Sequence, residues 1–143
     1  LQWSFFLYLI FHSYTVTYYS FLRLFASRVV KMRAYLTIKE NWQFQRAYKR
    51  GKSFVSPVVV TYIVKNKTNN LQIGITTSKK IGKAVQRNRC RRIIRAAFME
   101  LSPMVKSGYD IVFVARAKTP FVKSTDILNA IKIHLQQANV IDN

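Results

Sequence analysis

Five carboxylates stand against 24 Lys and Arg in this chain of 143 residues, and Cys90 is its only thiol. A single cysteine excludes an internal disulfide and a cysteine-based zinc cluster, and fits a cytoplasmic location best. The acids, Glu40, Glu100, Asp110, Asp126 and Asp142, are scattered along the chain. No two-metal carboxylate cluster is evident among them, so neither a catalytic residue nor a metal ligand is expected from the protein. Residues 1–22 contain no Lys, Arg, Asp or Glu and are crowded with Phe, Tyr, Leu and Trp. Repeats and low-complexity tracts are missing as well.

What is present is a net charge of +19 on a chain that is half apolar. The length favours one domain, and the composition allows a packed core rather than disorder. Such a surplus of one sign repels itself unless an anionic partner neutralises it. Nucleic acid leads on that ground, with an acidic membrane surface as the alternative.

The chain divides near Met32, since all five acids and 20 of the 24 basic residues lie after Arg33. Residues 1–31 read as an aromatic extension, either a gene-start artefact or a disordered appendage, with a membrane anchor the remaining option. Residues 1–22 approach the length of a bilayer span with Arg23, Arg28, Lys31 and Arg33 behind them. Seven polar residues weaken that run, and no charged leader or cleavage site marks a signal peptide. Residues 32–143 are expected to form the functional domain.

Within it, Asn41 is placed to cap a short helix carrying Phe44, Ala47 and Tyr48 on one side, with Gly51 as its stop. Residues 58–64 (VVVTYIV) read as a strand, residues 66–70 as a turn and residues 71–77 as a second strand, together a hairpin. Residues 109–115 (YDIVFVA) follow a break at Ser107-Gly108 as a largely buried strand. Ser124 is placed to cap a last helix with an apolar stripe of Ile127, Ile131, His134 and Leu135. His134 reads as a partly buried filler, because no ligand stands at metal-binding spacing beside it. This order indicates an α+β or α/β sandwich with helices against one sheet.

Between the second and third strands runs S-K-K-I-G-K-A-V-Q-R-N-R-C-R-R-I-I-R-A-A-F, residues 78–98, read as a basic helix. On a helical wheel Cys90, Ile94, Ala97, Phe98 and Leu101 form one apolar face. Asn88, Arg91, Arg92 and Arg95 project from the other side, and Arg87 and Arg89 flank the seam. Guanidinium forks on a pinned helix suit the phosphates of a folded RNA. A salt-bridged surface helix would need carboxylates at i,i+4, and they are missing. Cys90 falls on the apolar face and reads as a small core residue rather than a nucleophile.

These residues resemble the protein component of bacterial ribonuclease P. The match runs through Ser78, Lys79, Lys80, Gly82, Ala84 and Val85, then Arg87-Asn88-Arg89 and on to Phe98. It extends to Phe44, Gln45, Tyr48 and Gly51 of the first helix and to the D-I-V-F-V-A-R stretch from residue 110 to 116. The resemblance implies a two-layer α+β sandwich, also known from a ribosomal protein domain, in which a four-stranded sheet packs on helices. It also implies a left-handed β-α-β crossover, where general topology would favour the right-handed one.

The resemblance implies a role as well. The protein would be the non-catalytic subunit of an endoribonuclease that removes the 5′ leader from precursor tRNA. The catalytic ribonuclease P RNA would hold most of the Mg²⁺, and no organic cofactor is needed. The leader would lie in a cleft carrying Phe44, Tyr48, Thr61, Tyr62, Lys39 and Arg46, with the central-strand aromatic position falling at Thr61 and Tyr62 beside it. Lys79, Lys80, Lys83, Arg87, Asn88, Arg89, Arg91, Arg92 and Arg95 would meet RNA. Expected partners are that RNA and precursor tRNA, with no membrane unless residues 1–31 are real. A non-enzymatic basic RNA-binding protein, ribosomal or chaperone-like, is the alternative.

Overall fold

The computed structural model describes residues 35–141. The reading of residues 1–31 as an artefact, appendage or anchor therefore lies outside the described residues. Five strands form one mixed sheet: β1 (Leu36–Thr37), β2 (Lys52–Val55), β3 (Val59–Lys65), β4 (Gln72–Thr76) and β5 (Tyr109–Ala115), in the spatial order β1-β4-β5-β3-β2. Among the described residues three α-helices join the sheet, α1 (Asn41–Arg50), α2 (Ala84–Leu101) and α3 (Ser124–Gln137). The architecture is α+β, with one strand more than the four expected. The extra one is the two-residue β1, held parallel to β4 at the sheet's edge. It is too short to leave a period-two pattern in the sequence.

The expected hairpin between β3 and β4 does not form. The strand β5 inserts between them, antiparallel to β3 and parallel to β4, with Tyr62 and Gly74 both opposite Val112. Residues 110–113 of β5 are all buried, and burial on both faces marks an interior strand that needs a neighbour on each side. The tight hairpin is instead β2-β3, closed at Ser56-Pro57. There the Ser56 N–H donates to Val59 O at 3.0 Å, and the Val59 N–H donates to Ser56 Oγ at 3.1 Å. Parallel β4 and β5 are joined by the expected crossover through α2.

Strand alternation sorts the core into two faces. On one face, Val59, Ile63, Ile73, Ile111 and Phe113 pack with Cys90, Ile94, Ala97, Phe98 and Leu101 of α2 and with Ile127, Ile131 and Leu135 of α3. Phe98 touches Phe113 and Tyr35, each with ring centroids 5.3 Å apart. Each such large side chain contributes roughly 1.5–3 kcal/mol through its burial, so α2 is fixed in rotation. On the other face, Val112 packs with Ile38 and Ala47 and with the half-buried Phe44, Tyr62, Val64 and Val114, which seats α1.

Helix ends follow one rule. The N-cap residues are Glu40, Lys83 and Lys123, each one before the capping positions expected at Asn41 and Ser124 for the outer two helices. In each case the side chain three residues on accepts the cap N–H: Gln43 for Glu40, Gln86 for Lys83 and Asp126 for Lys123. Gly51 stops α1 as expected but for a different reason. Its backbone is extended, and a Cβ there would lie 2.3 Å from the Ala47 carbonyl oxygen.

Candidate nucleic-acid interface

Two basic surfaces result, on opposite faces of the sheet. The first is the flank of α1 that carries Phe44 and Tyr48, four residues apart. The Phe44 ring lies directly on Gly74 of β4, where a Cβ would come within 2.4 Å of it. Tyr48 meets Tyr62 of β3 edge to face, with centroids 5.1 Å apart, and its hydroxyl donates to Thr76 Oγ1 at 3.2 Å. Phe44 and Tyr62 are half-buried and Tyr48 is exposed, so ring edges and faces remain open to solvent. Lys39 is exposed just before α1.

Thr61 is not part of this cleft. It points through to the α3 side, fully buried, and its Oγ1 lies 2.9 Å from His134 Nδ1. Tyr62, the next residue of β3, presents its ring on the α1 face instead. Arg46 is also differently employed. Its guanidinium forms an ion pair with the fully buried Asp110 of β5, whose other oxygen accepts from Asn66 Nδ2 at 2.6 Å. Arg46 thus ties α1 to the sheet. Trp42, which sequence reasoning did not single out, is 59% exposed and lies under that guanidinium, 5.3 Å from ring centroid to Cζ. Its i,i+4 spacing to Arg46 was the available signal.

The second surface is built around α2. Residues 78–98 are not one continuous helix. Lys79–Ile81 form a single 3₁₀ turn anchored by the buried Ile81, and Gly82 at φ +135° redirects the chain before α2 starts. Lys79, Lys80 and Lys83 therefore stand ahead of α2, all exposed. On α2 itself, Asn88, Arg89, Arg92 and Arg95 are exposed, and Arg87 and Arg91 are half-buried.

Some of these cations brace the fold. Arg87 donates to Gly82 O at 2.6 Å, Arg89 Nε to Pro120 O at 2.9 Å and Arg91 to Asn88 Oδ1 at 2.9 Å. Each retains further N–H groups, because a guanidinium carries five. Among the described residues the Arg46–Asp110 contact is the one ion pair, so no carboxylate neutralises the α2 surface. Cys90 lies beneath it, fully buried, and burial pushes its thiol pKa up against the opposing pull of its own backbone hydrogen bond and of Arg89 and Arg91. That favours the uncharged thiol of a core residue.

Comparison with known proteins bears on what this pair of surfaces serves. The ribonuclease P family profile matches residues 32–139. The chain belongs to the ribonuclease P protein family. Its relatives include the ribonuclease P protein component of Clostridioides difficile strain 630, 40% identical over 104 residues that span 72% of this chain and 91% of the relative. Among solved structures, the Staphylococcus aureus RNase P protein superposes with a TM-score of 0.66 at 34% identity, covering 74% of this chain and 97% of that one. The RNase P protein from Thermotoga maritima gives a TM-score of 0.64 at 25% identity, covering 75% and 98%.

Membership in the ribonuclease P family assigns the chain its role as protein subunit of an endoribonuclease of tRNA processing, in partnership with the RNA subunit of that enzyme. No helix among the described residues is long and apolar enough to cross a membrane.

Proposed function

We propose that the α1 flank binds the single-stranded 5′ leader of precursor tRNA while the α2 surface rests on the catalytic RNA, all within the cytoplasm. The carrying observation is the set of accessible rings Phe44, Tyr48 and Tyr62, grouped on the face of the sheet opposite the arginines of α2. Stacking on rings tolerates any base, which suits a general processing enzyme. Lys39, Lys49, Arg50 and Lys52, all exposed around α1, supply sequence-independent attraction to the backbone. Placing leader and RNA subunit on separate faces lets one small protein hold both at once.

Mg²⁺ belongs in this reading to the RNA subunit. The protein's described carboxylates do not fit a metal centre: Asp110 is occupied by Arg46 and Asn66, and Asp126 caps α3. The protein's contribution is to bind, orient and neutralise, and the phosphodiester is hydrolysed at the RNA.

Reconstitution of the full chain with its RNA subunit at low Mg²⁺ tests the reading. Added protein restores cleavage of precursor tRNA, and no gain on adding it rejects the proposal. Phe44→Ala or Tyr48→Ala weakens binding of precursor tRNA by about 1–3 kcal/mol and spares mature tRNA. Equal losses on both substrates reject a leader-specific site.

A further inference from the structure

The outer side of α2 is not flat. Val85, Asn88, Arg89, Arg92, Ile93 and Ala96 line a groove of about 520 Å³ that Ser124, at the start of α3, closes on one side. Its walls alternate apolar atoms with guanidinium and amide groups, and none of its lining residues is acidic. That volume accommodates a single nucleotide.

Between Pro120, whose carbonyl oxygen accepts from Arg89 of the groove wall, and Ser124, which lines the groove, the chain carries an aromatic residue that the family motifs do not include and that does not itself line the groove. Phe121 is 77% exposed, and Val85 on the groove wall is 79% exposed. A large exposed ring on a loose loop would mean little, but this loop is fastened at several points. Thr119, fully buried, donates its hydroxyl to Val58 O at 2.6 Å and accepts from the Arg116 N–H at 2.7 Å. Pro120 O accepts from Arg89 Nε, which clamps the loop to α2. The chain from Pro120 to Ser124 is thus held at both ends against the groove, with Phe121 in between. An aromatic kept in water by a rigid anchor lacks its partner.

We infer that this groove takes one unpaired nucleotide of the RNA subunit, its base stacked on Phe121 and its phosphate met by Arg92 and the free N–H groups of Arg89. Charge selects an anion, and the ring beside the cations selects one that carries a flat π-face. The RNA subunit, rather than the leader, is the source, because the groove lies across the sheet from Phe44, Tyr48 and Tyr62. This inference rests on the reading of α2 as the surface that meets the RNA subunit, and adds to it a specific residue and a mode of contact.

The test measures binding of the full chain to the RNA subunit across a salt series, with circular dichroism melts confirming that each variant folds. Phe121→Ala is expected to weaken binding about 5- to 150-fold without changing the salt slope, since stacking releases no counterion. Phe121→Trp is expected to bind as the parent does. Normal binding by Phe121→Ala, alongside weaker binding by Arg92→Ala, overturns the stacking site and leaves the α2 surface assigned. Unchanged binding by both variants overturns the surface as well. A loss for Phe121→Ala that appears equally with precursor tRNA alone overturns the choice of the RNA subunit.

Discussion

At residue scale, the parity of a strand decides what a side chain can do. Thr61 and Tyr62 are neighbours, yet one is sealed against His134 and the other stands beside Tyr48. His134 is worth following because its environment makes stability depend on pH. Burial holds its pKa below the ordinary value of 6.5. The unfolded chain therefore binds more protons than the folded one just below neutrality. The stabilisation is complete above pH 6.5 and is lost as pH falls through the depressed folded value. Urea unfolding between about pH 5.5 and 8 is expected to show declining stability on the acid side. In His134→Gln, whose side-chain amide offers both a donor and an acceptor to Thr61 and does not titrate, that decline is smaller. An identical pH profile in parent and variant would remove His134 as its cause.

At the scale of elements, α1 is the least buried of the three described helices, with Ala47 its one fully buried residue. Its seat depends on the Arg46–Asp110 contact as much as on apolar area. Removing the arginine leaves a buried carboxylate with Asn66 as its remaining side-chain partner. Arg46→Ala is expected to cost about 3 kcal/mol, and less when Asp110→Asn is already present. Denaturant titration of the double-mutant cycle measures this coupling, and equal costs in both backgrounds refute it. Much at this scale was legible beforehand. The stripes of α2 and α3 and the limits of β5 were read directly, because amphipathic spacing and an uninterrupted apolar run leave few alternatives. The run VVVTYIV gave no such help. A strand with apolar residues on both faces shows no alternation in its sequence, although its burial does alternate, so neither the inward side of Thr61 nor the partners of β3 could be deduced. In β2, Lys52 and Ser53 on an edge strand look like loop. The Arg46–Asp110 contact was not legible because the two residues lie 64 positions apart, brought together only by the order of strands in the sheet.

For the whole molecule, the decisive quantity is charge left without an internal partner. After Arg33 the chain carries 20 basic residues and five acids, and among the described residues one ion pair forms. Most of that charge must be answered by phosphate and its released counterions, so affinity for the RNA subunit falls steeply with salt. The cations should not contribute equally. Arg92 and Arg95 are exposed and make no side-chain hydrogen bond among the described residues, so Arg92→Ala and Arg95→Ala are each expected to reduce the slope of log K against log salt by about one. Arg87 and Arg89 also bond to Gly82 and Pro120, so their alanine variants lose thermal stability as well as slope. Arg46, already neutralised by Asp110, marks the other limit, and Arg46→Ala leaves the slope unchanged even as it loosens α1. Filter binding from about 50 to 200 mM salt separates the three classes. A common slope for all five variants would mean that RNA reads only the net charge of the domain and not the placement of its arginines.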